Sequence, residues 1–468
     1  MPDIILGVPS SILSLNQKGL IERAFHDGLF PNLAFRAEAM PEEWPANTGT
    51  QQFQTRPGLL TPRVKPIAPG TDPQGQSVTY EQWVAQLAQY ADSVDTHIPT
   101  SVTSSANMFL RNIKQLGLQA GQSVNRVSRN ALFQAYLSGQ TVTIGTLVSG
   151  ATQVRVAALS GFTDVVIPGG NVAPQTVSSA YPLPITIGTG TASFSNTVIG
   201  YIPDDQDDTN GPGTLTLGTA ISAGQATTTV RLTVKSAYAP RVVRSAPGDS
   251  VDAIGPGDSI TLQQCINAVA FLRRASVQPH DDGFFHAHLS SLGNAQFFAD
   301  PVFQRLNQSL PEHVIYKQGF IGTISGIMFI MNNEAPEEYN SGNLVATSGL
   351  GYYADELGGE VANGSGVQIG RVLITGKGSI YERYLDESQY VTEAGTLGKI
   401  GEFNVQNNGL QILTERIRLI LRAPMDKLQQ TVTTSWSIST SFPTPSDITA
   451  PSGPERYKRA IICEFASG

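Results

Sequence analysis

The longest regular pattern of apolar positions along the chain falls between Ser104 and Gly139. Phe109, Ile113, Leu116, Ala120, Val124, Val127, Ala131 and Ala135 follow one another at steps of three or four residues. That spacing places them on one face of an α-helix. Ser104 or Ser105 supplies an N-cap and Gly139 a stop, while Arg111, Lys114, Arg126 and Arg129 fall on other faces. Gly117 and Gly121 weaken the middle, so a break into two shorter helices stays open. A second helical pattern starts at Asp258-Ser259, carries Leu262, Ile266, Val269 and Leu272 on one face, and ends at Arg273-Arg274.

Between these helices the period changes from 3.6 to 2. From Thr141 to Tyr201 the only charged residues are Arg155 and Asp164, and Thr, Val, Gly, Ser and Ala dominate. The best alternation is Thr227–Lys235, with Thr229, Arg231, Thr233 and Lys235 facing one way and Val230, Leu232 and Val234 the other. Pro168-Gly169-Gly170 and Asn210-Gly211-Pro212-Gly213 punctuate these runs. The segment reads as all-β. Further strands are predicted at Gly283–Leu289, Ile324–Met331, Arg371–Ile374 and Gln430–Ser439, with Leu410–Leu421 as one long strand. Phe442–Pro454 reads as loop, and Tyr80–Val94 fits either a helix or a strand.

The first 50 residues are largely irregular, with a short helix around Gln17–His26 and then Pro31, Pro41 and Pro45. Such a segment buries little alone and reads as an arm lying on something else or as a free tail. Gln52–Arg56 and Arg63–Lys65, separated by Pro57-Gly58, read as a two-stranded ribbon. An isolated ribbon is marginal in water and needs a support.

Composition sharpens this picture. A length of 468 residues suggests two or three domains. Charged residues make up 15%, against about a quarter in ordinary soluble domains. The surface is therefore covered by Ser, Thr, Asn and Gln, or in part by partner subunits. Thirty Lys plus Arg against 38 Asp plus Glu give a net charge of −8, which argues against a dedicated nucleic-acid binder. Cys265 and Cys463 are far apart and fit a reduced, cytosolic site of synthesis. Pro2 and Asp3 stand where a signal peptide would carry basic residues, and no apolar run approaches the ~20 residues a membrane-spanning helix needs. The expectation is a soluble chain without a membrane partner.

The search for chemistry returns little. His286 and His288 share a strand face beside His280-Asp281-Asp282, so a two-histidine metal site is sterically open, with hydrogen-bonded core imidazoles as the alternative. Asp204–Gly211 resembles a calcium loop, but counting back from Gly211 puts Gln206 at its first position and Leu217 at its twelfth. Gly370 to Gly376-Lys377 has five intervening residues where a phosphate loop needs four, and Gly378 follows the lysine. Gly364-Ser365-Gly366 precedes no nucleotide-binding unit. No nucleophile elbow, no His-Glu-x-x-His and no catalytic cysteine signature is present. No catalytic residue and no cofactor is assigned, and the chain reads as a non-enzyme.

The order of parts is arm, ribbon, long helix, β segment, then a mixed α/β half. That order resembles the major capsid proteins of tailed bacteriophages, which share the HK97-like coat fold. Leu262–Arg274 followed by Val277, Pro279 and Asp282-Gly283-Phe284-Phe285 is similar to that family's helix and central strand, with His288 near the strand's end. Gly319–Phe329 resembles its later pair of short strands, Arg371–Gly378 the strand that follows, and Tyr238–Arg244 the re-entry from an insertion.

The resemblance implies an α+β, HK97-like capsid fold with an all-β insertion domain. Residues 1–50 become an N-terminal arm and 51–78 an extended loop. Residues 79–139 and 366–468 form a peripheral domain with spine helix 104–139. Residues 140–250 form the insertion and 258–365 an axial domain. It implies self-assembly into hexamers and pentamers of an icosahedral shell, a virion location after synthesis in the host cytoplasm, and non-specific contact with packaged double-stranded DNA. Scaffolding, portal and decoration proteins are further expected partners. Arg56, Arg63 and Lys65 punctuate the ribbon and are the candidate inter-subunit contacts. The rivals are another virion component such as a tail protein, a β-rich surface adhesin, and a hydrolase using the His280–His288 region.

Overall fold

Met108–Leu137 is one continuous helix of 30 residues, about 45 Å long, in the computed structural model of the chain. The structure describes residues 20–29, 34–45, 48–57, 60–97, 108–165, 174–188, 193–206, 211–227, 232–248, 251–307, 322–332, 367–385, 403–404, 409–422, 427–445 and 459–466, single-residue gaps aside. The expected start of the helix at Ser104 or Ser105 lies outside these residues, as do Gly364-Ser365-Gly366 and the loop after Ser446. The chain divides into two units, one of Met1–Gln52, Val84–Arg129 and Ile380–Pro443, the other of Phe53–Trp83, Asn130–Ser379 and Thr444–Gly468. The architecture is mixed α and β.

The helix follows its apolar pattern through Phe109, Ile113, Leu116, Ala120 and Val124, all buried. Beyond Val124 it departs from expectation. Ala135 is buried as expected, but Val127 and Ala131 are half-buried, and Ser128, Leu132, Phe133 and Tyr136 are buried in addition. The larger side chains hold more removable apolar surface than the alanines and decide which face turns inward. Arg129, expected on an outer face, is buried as well. Gly117 does not break the helix; a Cβ there would collide with the Phe25 carbonyl oxygen, and one at Gly28 with the Lys114 carbonyl oxygen. The two glycines let the helix Leu20–Leu29 approach closely, with Ile21, Phe25 and Leu29 buried. That helix runs three residues past the expected end at His26.

The sheet of the first unit runs in the order Met40–Glu43, Tyr381–Tyr384, Thr431–Ser441, Ile417–Arg422, Gly409–Thr414 and Phe403–Asn404. Ala88–His97 pairs antiparallel along the length of Thr431–Ser441, from His97 opposite Thr431 to Ala88 opposite Thr440. Tyr80–Val94 is therefore strand, divided between Tyr80–Gln86 and Ala88–His97. Leu410–Leu421, read as one strand, is a tight hairpin in which Thr414 pairs with Ile417 and Arg416 takes φ +66°. An apolar run with no glycine or proline gives no local signal for that turn.

The ribbon is also re-paired. Gln51–Pro57 pairs with Tyr80–Gln86, and Arg63–Lys65 lies in irregular chain. Pro62 and Pro66 flank the latter segment and remove two of the donors a strand would use.

In the second unit, residues 140–236 fold into a six-stranded antiparallel sheet ordered Gln140–Val142, Thr233–Ser236, Leu183–Ile187, Phe194–Pro203, Gly213–Leu217 and Gln153–Val156. Its two ends meet. Thr143 bridges to Val156, Ala157 N–H donates to Val142 O at 3.0 Å, and Ile144 N–H donates to Arg155 O at 2.8 Å. The sheet is a closed barrel, filled by Val154, Val156, Leu159, Phe162, Ile185, Ile187, Val198, Leu215 and Val234 among others.

A second sheet in this unit has the order Val242–Arg244, Ala460–Ala466, Ile369–Thr375, Phe285–Leu289, Ile327–Met331 and Thr323–Ile324. The helix Leu262–Arg274, N-capped by the Thr261 side chain and not by Asp258 or Ser259, packs Leu262, Cys265, Val269 and Leu272 into its core. The strand pairing runs across two of the expected boundaries. Val242–Arg244 leaves the β segment 140–250 to join this sheet. Ile369–Thr375 and Ala460–Ala466, assigned to the segment 366–468, pair with the strand of residues 285–289 or with each other. Every residue of those two strands is buried, which only an interior position in a covered sheet allows.

Candidate assembly surface and charge clusters

The segment from Gln51 to Gln86 presents six large apolar side chains to solvent among its described residues. Phe53 is 63% exposed and Val64 89%, and Leu60, Ile67, Val78 and Val84 are exposed with them. Six of the fourteen large apolar side chains exposed among the described residues thus fall in these 36 positions. The opposite side of the ribbon differs, with Gln54, Trp83 and Ala85 buried. Of the predicted contact residues, Arg56 lies in the strand Gln51–Pro57, and Arg63 and Lys65 are exposed in the irregular chain after it. The Arg63 guanidinium donates to the Gln74 carbonyl oxygen, folding the loop back on itself.

His286 and His288 do not come together as a pair. His288 is 1% exposed, and its Nδ1 lies 3.4 Å from Asn332 Nδ2. His286 instead stacks on His280, with ring centroids 4.1 Å apart and planes 11° apart, and its Nε2 is 2.8 Å from Asp282 Oδ2. Burial works to raise the Asp282 carboxyl, but hydrogen bonds from the Phe284 N–H and from His286, with the nearby imidazoles, hold it below its usual range.

The other weighed motifs resolve into ordinary contacts. Asp204 accepts from Arg155 Nη2 at 2.6 Å on an exposed surface, and residues 207–210 of the calcium-like run lie outside the described residues. Lys377 of the phosphate-loop-like run pairs with Asp281. Cys265 and Cys463 are both buried, and their mutual hydrogen bond and burial push the Cys463 thiol well above its usual range. A cavity of about 490 Å³ in the second unit is lined by Lys235, Tyr238, Arg241, Arg244 and Phe271, with Arg241 stacked 3.8 Å over the Phe271 ring. None of the described residues lining it is an Asp, Glu, His or Cys.

Two clusters escaped sequence reasoning. Glu464 is fully buried between two arginines on flanking strands: Arg371 Nε at 3.1 Å and Arg244 Nε at 2.9 Å. Both stand directly opposite Glu464 in the register, so the three form one row across the sheet. In the first unit, buried Glu382 accepts from Arg36 Nη2 at 2.6 Å and from Arg416 Nη1 at 2.8 Å. The buried Asn125 of the long helix accepts from the Phe35 N–H at 2.7 Å beside Arg36. Breaking such a pair from one side leaves an uncompensated buried charge. The available signal was a single charge inside an apolar run, as in Ile462-Cys463-Glu464-Phe465 and Ile369-Gly370-Arg371-Val372.

No protein-family model and no curated protein matches the chain. Solved structures similar to it include the Cyanophage Pam1 capsid asymmetric unit, at 11% identity and a TM-score of 0.47, covering 90% of this chain and 86% of that one. The capsid structure of the Cyanophage P-SCSP1u is similar at 9% identity and a TM-score of 0.45, covering 93% and 89%. The capsid of Ralstonia phage GP4 is similar at 8% identity and a TM-score of 0.44, covering 92% of this chain and 87% of that one.

Proposed function

We propose that this chain is the major capsid protein of a tailed bacteriophage, a structural and non-enzymatic protein. It assembles with copies of itself, as hexamers and pentamers, into the icosahedral head around double-stranded DNA. The observation that carries this reading is the segment from Gln51 to Gln86, in which six large apolar side chains remain exposed. A thin ribbon and proline-rich loop gain no core of their own. A patch of that kind marks an interaction surface, and a neighbouring copy supplies the missing cover.

In this reading residues 1–50 are the arm, 51–86 the extended loop reaching a neighbouring subunit, and Met108–Leu137 the spine helix. The rest of the first unit is the peripheral domain, the sheet around Phe285–Leu289 the core of the axial domain, and the barrel 140–236 the insertion. The low charged fraction fits a surface that copies cover. A net charge of −8 fits weak, sequence-independent contact with packaged DNA. Scaffolding, portal and decoration proteins are the remaining partners, and the virion is the location.

Negative-stain electron microscopy of the chain, expressed alone and with candidate scaffold genes, tests this. Closed polyhedral shells are expected. Tubes or rings would make it a tail component, and a dispersed monomer under all assembly conditions would sink the proposal. Reversing Arg56, Arg63 and Lys65 to glutamate should abolish shells while circular dichroism shows a folded chain. Normal shells from that variant would remove those three residues as contacts.

A further inference from the structure

The cavity of about 490 Å³ in the second unit lies where the barrel meets the second sheet, and three cationic residues line it: Lys235, Arg241 and Arg244. Lys235 belongs to the barrel strand Thr233–Ser236, whose Val234 fills the barrel interior, so Lys235 faces the other way. It stands opposite Gln140 in the register. The Gln140 amide ties the cavity wall together, since its Oε1 accepts from Arg244 Nη2 at 2.8 Å and its Nε2 donates to the Pro240 carbonyl oxygen at 2.9 Å. Arg244 Nε donates to Glu464 at 2.9 Å, but Arg371 shares that one carboxylate. Glu464 therefore balances only part of the charge on Arg244, whose side chain is 6% exposed. A cation so far removed from water is costly unless negative charge compensates it. Arg241 lies 3.8 Å over the Phe271 ring and is exposed.

We propose that this cavity binds a small phosphorylated molecule of nucleotide size. Lysine and arginine side chains suit the charge of a phosphate monoester, and guanidinium forks suit its oxygens. The Tyr238 phenol, also in the lining, adds a hydroxyl donor. The described lining residues include no Asp or Glu to repel an anion. An inorganic phosphate ion alone would leave most of the cavity empty, whereas cavities of about 300–1,000 Å³ take organic ligands. The heterocyclic base of such a ligand finds the Arg241 guanidinium, backed by Phe271, because bases stack on aromatic and guanidinium planes. The phosphate, at Arg244, supplies the negative charge that Glu464 divides between two arginines.

The full-length chain is dialysed to equilibrium against labelled AMP, and separately against adenosine and inorganic phosphate, the two halves of that probe. One AMP per chain is expected, bound at least about tenfold more tightly than either half and more weakly as salt rises. Lys235→Met and Arg241→Gln should each weaken AMP binding by about tenfold, the worth of a charged hydrogen bond. Lys377→Gln, at a lysine paired with Asp281 and outside the cavity lining, should leave it unchanged. No AMP binding, adenosine or phosphate binding as tightly as AMP, or binding that survives Lys235→Met combined with Arg241→Gln overturns the proposal. Arg241 is exposed, so Arg241→Gln alone carries the test if the double variant fails to fold, and an unchanged affinity in it is equally fatal.

Discussion

The barrel of residues 140–236 and the ribbon of residues 51–86 are both β structure poor in charge, yet they solve the edge problem in opposite ways. The barrel joins its two end strands through the hydrogen bonds of Val142, Ile144, Arg155 and Ala157, and it fills its interior with its own side chains. The ribbon has two strands, one buried side and one side of exposed apolar groups. The difference teaches where each region's stability resides. The barrel's is internal to the folded chain, whereas the ribbon's exposed face gains only from a partner.

Substitutions in the isolated chain separate the two cases. The largest loss is expected from Phe162→Ala, whose ring is fully buried in the barrel: about 3–5 kcal/mol, read as a lowered urea midpoint. A loss below about 1 kcal/mol would mean that the barrel interior collapses around the gap. Thr141→Ala should cost about 1–3 kcal/mol by the same measurement, because the buried Ala158 N–H loses the Thr141 Oγ1 acceptor it meets at 2.9 Å. An unchanged midpoint would show that water replaces that acceptor where the barrel closes. Val64→Ser in the loop should shift the isolated chain by no more than about 0.5 kcal/mol, since the side chain is 89% exposed. The same change should lower shell yield in a sedimentation assay. A destabilised monomer with normal shells would invert the comparison and assign the loop's apolar groups to the chain's own folding.

Much of this was legible in the amino-acid order. The period of the long helix, the second helix, the abrupt change to strand pattern after Gln140 and the buried strands around Ala287 and Leu373 all carry local signals. The unread parts lack them. The hairpin at Arg416 turns a chain whose flanks read as continuous strand, and Arg63-Val64-Lys65 alternates like a strand although prolines on both sides starve it of donors. The histidine cluster shows the same limit. The pattern along a strand put His286 with His288, whereas the turn at Gly283 brings in His280 and Asp282, a juxtaposition that periodicity cannot express.

The sequence by itself determined the long helix, the helix ending at Arg274 and most of the strand runs, that the chain mixes α and β, and that one β-rich block stands apart between two helices. These follow from side-chain period and turn chemistry, which act over a few residues. Only the tertiary structure decided which strand pairs with which. The final strand, Ala460–Ala466, belongs beside Val242–Arg244 and Ile369–Thr375 because Glu464 must find Arg244 and Arg371 to be buried at all. A charge can be removed from water only where its partners are already in place, and those partners lie 220 and 93 residues away in the chain.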